Sequence, residues 1–117
     1  LLRAGTALDA LEPRDDGEAA GIAIVRRALE EPLRQIAANA GADGNVAVAR
    51  VRAEHGAFGY DALAGDYADL EARGVLDATR VVRCALENAA SIAVLVLTTD
   101  ALVVDDPESP AGGTPEG

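Results

Sequence analysis

Aromatic side chains are nearly absent from this sequence. Phe58, Tyr60 and Tyr67 are the only three in 117 residues, and Trp and Met do not occur. Hydrophobic residues still make up 50% of the chain, so its core must be built from Ala, Val, Leu and Ile. Side chains of that size suit closely packed helices better than a sandwich of large residues. Cysteine is scarce too. Cys84 stands alone, which excludes an internal disulfide and suits a reducing, cytoplasmic compartment. His55 is the only histidine, so no Cys/His cluster with metal-ligand spacing exists. Basic residues number 10 against 20 acidic ones, a formal net charge of −10. The chain therefore lacks the positive footprint that a phosphate backbone requires, which argues against nucleic acid as a direct partner. The same charge disfavours an anionic membrane surface. No signal peptide is visible. Neither Gly-x-Gly-x-x-Gly nor Gly-x-x-x-x-Gly-Lys is present.

The stretch that dominates what is there runs from Asp77 to Val104. Val81, Val82, Ala85, Leu86, Ala89, Ile92, Ala93 and Val96 recur at spacings of three and four, which predicts a helix. Asp77 suits its N-cap, because a carboxylate there accepts free N–H groups of the first turn. Polar residues thin out after Asn88, and a helix apolar nearly all round is expected to be central and buried. The run is too short and too rich in Ala, Ser and Thr for a membrane span. A chain of this length makes one small domain that buries roughly two-thirds of its unfolded surface.

Leu1 to Glu12 carries Leu1, Ala4, Ala7, Leu8 and Leu11 on one face and predicts the C-terminal part of a helix, broken by Pro13. Gly17 to Asn39 predicts a second helix capped by Asp15 or Asp16 and split near Glu30 and Glu31 by Pro32. Gly41 suits a left-handed C-cap. Val46 to Glu54 predicts a third helix capped by Asn45, although its valines leave a strand open. Phe58-Gly59-Tyr60-Asp61 alternates aromatics and glycine, which predicts a hairpin arm with its turn at Ala64-Gly65-Asp66. A single helical turn is expected near Asp69 to Ala72. Ala101 to Val104 predicts a short strand, and residues 107–117 a disordered tail. The fold class is thus mainly α, with a small β-hairpin and a short C-terminal strand.

No nucleophile–base pair follows from spacing. His55 suits a surface role, and Cys84 a small hydrophobe. Asp61 after an aromatic, Val75 and Asp77 make one weak constellation. A carboxylate accepts two hydroxyl hydrogen bonds and suits a ribose, while Val75 offers a base an apolar surface. Turn residues plus an N-cap explain the same positions.

Four segments, in order and with compatible spacing, resemble group I chaperonins of the GroEL type. They are Arg27 to Gly41, Phe58-Gly59-Tyr60-Asp61-Ala62, Gly74 to Ala93, and Leu97-Thr98-Thr99-Asp100. The resemblance covers residues 1–106 and implies the C-terminal portion of an equatorial, ATP-binding domain. It also implies an intact parent that uses ATP with Mg²⁺ to fold non-native client proteins, in a ring of identical subunits with a co-chaperonin. The phosphate and metal ligands, and the hydrolytic carboxylate, would lie outside this chain, which is not expected to hydrolyse ATP by itself. The start at Leu1 without Met, already in helical register, fits a piece of a longer protein.

Carried over by position, the resemblance makes Asp61 and Ala62 contacts to the adenine, Val75 the apolar base contact and Asp77 the ribose ligand. Asp16, Arg34, Asp43, Asn45 and Val46 would face a second ring. Ala101–Asp105 would form an arm shared between neighbouring subunits. Four positions depart from the family pattern: Asp61 for Asn, Leu63 for Ala, Ala78 for Pro and Val94 for Gly. These departures support a rival reading, a non-catalytic helical oligomerisation module from a degenerate chaperonin copy.

Overall fold

The computed structural model describes residues 1–99 and divides the chain into two units, Leu1–Ala78 and a second beginning at Thr79. The first unit opens with a 3-10 helix, Leu2–Ala10, followed by α1 (Asp16–Ala28), α2 (Glu31–Asn39) and α3 (Gly44–Ala53). An antiparallel hairpin of β1 (Phe58–Asp61) and β2 (Asp66–Asp69) comes next. The second unit contains α4, Thr79–Leu97. The fold is mainly α with one small hairpin, as the aliphatic composition requires. The expected strand at Ala101–Val104 and the expected tail lie outside the described residues.

The N-terminal segment is helical but not α. Gly5 and Thr6 are poor α-formers, and the Thr6 hydroxyl donates to the Arg3 carbonyl at 2.8 Å, an i−3 bond that suits the tighter winding. Arg3 then ties this helix to the hairpin side of the unit, donating to the carbonyls of Glu54 (2.8 Å) and Phe58 (2.9 Å).

Pro32 divides the second helical stretch as expected. Lacking an N–H, it cannot bond the carbonyl of Ala28, where α1 ends, and it occupies the first turn of α2, where no partner is needed. Asp15 caps α1, its carboxylate accepting from the Glu18 N–H at 2.8 Å. Gly41 ends α2 at φ +79°. The Gly41 N–H bonds the Ala38 carbonyl (3.0 Å) and the Ala42 N–H bonds that of Ala37 (2.9 Å), a Schellman closure. The cap of α3 is Asp43 rather than Asn45, and the helix starts two residues early. One Asp43 oxygen accepts from the N–H groups of Asn45 (2.7 Å) and Val46 (3.2 Å).

The core lies where α2, α3 and the hairpin meet. Ala37, Ala47, Val51 and Tyr60 are buried, with Leu2, Leu33, Ala42 and Tyr67 packed against them. Ala47, Val48 and Val51 bury one helical face, which decides the helix–strand ambiguity for this segment.

The largest departure concerns α4. It buries none of its residues, and Ile92 and Val94 through Leu97 are all more than half exposed. A helix apolar all round needs neighbours on several sides to be buried. It also begins at Thr79, so Ala78 rather than Asp77 directly precedes it.

Candidate functional site

The hairpin turn is built around one carboxylate. Asp61 ends β1, and one of its oxygens accepts from the N–H groups of Leu63 and Ala64, both at 3.1 Å. Such a bond pattern lets an Asp side chain close a turn that the main chain alone would leave open. Gly65, at φ +70°, returns the chain, its N–H bonding the Asp61 carbonyl at 2.8 Å. After β2, the Asp69 carboxylate accepts from the Ala72 N–H at 2.9 Å and starts one helical turn. Gly74 ends it at φ +72°, with the Gly74 N–H on the Glu71 carbonyl (3.0 Å) and the Val75 N–H on that of Leu70 (2.8 Å). Leu70 lies against Gly59 so closely that a Cβ there would come within 2.5 Å of its side chain.

This second turn sends Arg73 back to the first. Its guanidinium reaches Asp61 at 2.9 Å and clasps both oxygens of Asp66 at 2.6 and 2.9 Å. The Arg73 hydrogen bond is the main reason that the Asp61 carboxyl titrates below its ordinary value, with the Ala64 N–H adding to it. Asp66 is held down chiefly by the same guanidinium, opposed by the nearby Asp61 charge. Arg73 is raised in turn, chiefly by Asp66 and then by Asp61. Both carboxyls have depressed folded values, so their contribution to stability is complete above the ordinary carboxylate range. It is lost only as pH falls through the depressed values. Arg73→Gln is expected to raise both values toward the ordinary range and so to shrink this contribution and its loss in acid. Carboxylate-carbon NMR titrations of Asp61 and Asp66 in the two proteins check this; unchanged midpoints would refute it.

The four candidate residues differ in availability. Asp61 has its carboxylate engaged by Arg73 and two loop amides. Ala62 is exposed in the loop, Val75 is 50% exposed, and Leu63 is fully exposed. Asp77 is exposed and makes no side-chain hydrogen bond among the described residues. Arg73 brings Asp61 to the segment that carries Val75. Sequence reasoning missed Arg73; the available signal was a lone base among Asp61, Asp66 and Asp69, just before a turn glycine.

Three of the five expected ring-contact residues are occupied within the chain. Arg34 donates to Glu30 (2.9 Å), Glu31 (3.0 Å) and Asn45, and Asp43 caps α3. Asp16 and Val46 are exposed. The Ala101–Asp105 arm lies outside the described residues. Among the described residues, no three His, Cys, Asp or Glu side chains gather closely enough to hold a metal ion, and no helix is long and apolar enough to cross a membrane. The family model described as the TCP-1/cpn60 chaperonin family matches residues 4–107, a span that includes the hairpin, Val75 and Asp77.

Proposed function

Because this chain belongs to the TCP-1/cpn60 chaperonin family, whose role is protein folding, we propose that it is the C-terminal half of the equatorial domain of a group I, GroEL-type subunit. In this reading the intact parent binds ATP with Mg²⁺ and assembles with identical subunits in a ring. It captures non-native clients and works with a co-chaperonin. This chain supplies ring contacts and the adenosine side of the pocket, while the phosphate and metal ligands come from the rest of the parent.

The observation that carries the reading is the family match itself, which runs through every candidate site residue. The local chemistry adds to it. Asp77, without a side-chain partner among the described residues, offers two acceptor oxygens to ribose hydroxyls, and Val75 leaves half of its apolar surface open to a base. At the base edge, Ala62 and the loop main chain are the contacts on offer, since the Asp61 carboxylate is engaged.

Titration of the full-length parent with ATP tests the reading. Asp77→Ala should weaken binding by about tenfold or more, the loss expected for hydrogen bonds to a charged group. Unchanged affinity would remove Asp77 from the ribose contact. The Arg73 clamp on Asp61 and the exposed Leu63 favour the second reading, a non-catalytic helical oligomerisation module from a degenerate copy. A parent that forms rings but binds no ATP would establish that one instead.

A further inference from the structure

A recess of about 270 Å³ opens between the 3-10 helix, α1 and α3, away from the hairpin turn and independent of the nucleotide reading. The chain as a whole has two acidic residues for each basic one. Here the ratio inverts: Arg3, Arg26 and Arg52 line the recess, and Asp9 is the only carboxylate that does. Leu2 and Val51 supply apolar lining.

The three guanidinium groups differ in how they are balanced. Arg3 is fixed by two neutral acceptors, the carbonyls of Glu54 and Phe58, and no carboxylate among the described residues pairs with it. Arg26 forms an ion pair with Asp9, its nitrogen 2.6 Å from the carboxylate, and Arg52 pairs with Glu30, which does not line the recess. An arginine has five N–H donors, and most of those on these three side chains make no contact with a protein acceptor among the described residues. Guanidinium groups held in place by other contacts suit an oxyanion with several acceptor oxygens, because little ordering is left to be done on binding. The volume lies just below the usual range for organic ligands, which limits the occupant to a phosphate group with a short organic body at most.

We propose that this recess binds a small phosphate-bearing anion. Inorganic pyrophosphate is the probe, titrated calorimetrically into the full 117-residue chain. Saturable binding is expected. Arg26→Gln should weaken it about tenfold, as for loss of a charged hydrogen bond. Asp9→Asn should tighten it about threefold, since it removes the one opposing charge and frees Arg26. Loss of structure cannot produce tighter binding, so the Asp9 variant separates an anion site from a folding defect. No saturable binding by the unsubstituted chain, or an affinity that neither variant changes, would overturn the proposal.

Discussion

Tyr60→Ala is expected to unfold the Leu1–Ala78 unit or bring it to the edge of unfolding. Tyr60 is 7% exposed and is the largest side chain in a core otherwise made of Ala37, Ala47 and Val51. It also supports Tyr67, whose ring lies 5.1 Å away at a tilt of 55°. Truncating a buried aromatic to alanine costs about 3–5 kcal/mol, because the transfer energy is lost and a cavity is left. At roughly 0.05–0.15 kcal/mol per residue, a unit of this size has only about 4–12 kcal/mol in total. Two of the other buried core residues, Ala37 and Ala47, are helical alanines too short to collapse into the gap. Urea unfolding followed by tyrosine near-UV dichroism checks this, with Tyr67 as the remaining reporter. A stability loss below about 1 kcal/mol would show that Tyr60 packs less tightly than its burial implies.

Gly44→Ala should destabilise the same unit by about 1–3 kcal/mol, the usual cost of forcing extra volume into a packed contact. A Cβ at Gly44 would sit 2.6 Å from Arg34 Cγ and 2.7 Å from the Arg34 carbonyl oxygen. The side chain can move away, but the main chain of α2 cannot without separating from α3. That separation would open the contact between Ala37 and Ala47, both 0% exposed, and pull Arg34 from Asn45. Gly21→Ala in α1 supplies the contrast. Nothing lies within 4 Å of a Cβ there, so the substitution should stabilise by about 0.5–1 kcal/mol through helix propensity alone. Urea midpoints of the two variants should move in opposite directions. Equal shifts would mean that the α2–α3 crossing is not limited by Gly44.

Local signals of the first unit were readable because each has a short-range cause. Pro32 cannot continue the helix before it and so starts a new one, Asp15 caps the helix that follows it, and Gly41 closes the one before it. The alternation of Phe58, Gly59 and Tyr60 matched a strand in which successive side chains take opposite faces. The cap of α3 was misassigned because Asp43 and Asn45 are both able caps. The choice falls to Asp43 because Gly44 must enter the helix to approach Arg34.

The candidate site was legible only as positions. Val75 and Asp77 are exposed, as a contact with a ligand requires. That Asp61 is engaged depends on Arg73, 12 residues away, being returned to it by the turn at Gly74. Spacing along the chain does not contain that pairing.

The sequence by itself determined the class of the fold, its breaks and turns, and the family. Composition, proline, glycine and capping residues act within a few positions of themselves. The tertiary structure alone decided that the N-terminal segment winds as a 3-10 helix, and that Asp61 and Asp66 share Arg73. It likewise decided that three arginines meet around one recess and that α4 buries none of its side chains. Apolar periodicity in α4 records which faces favour leaving water. Whether they leave it depends on what packs alongside, and that is a property of the assembled chain.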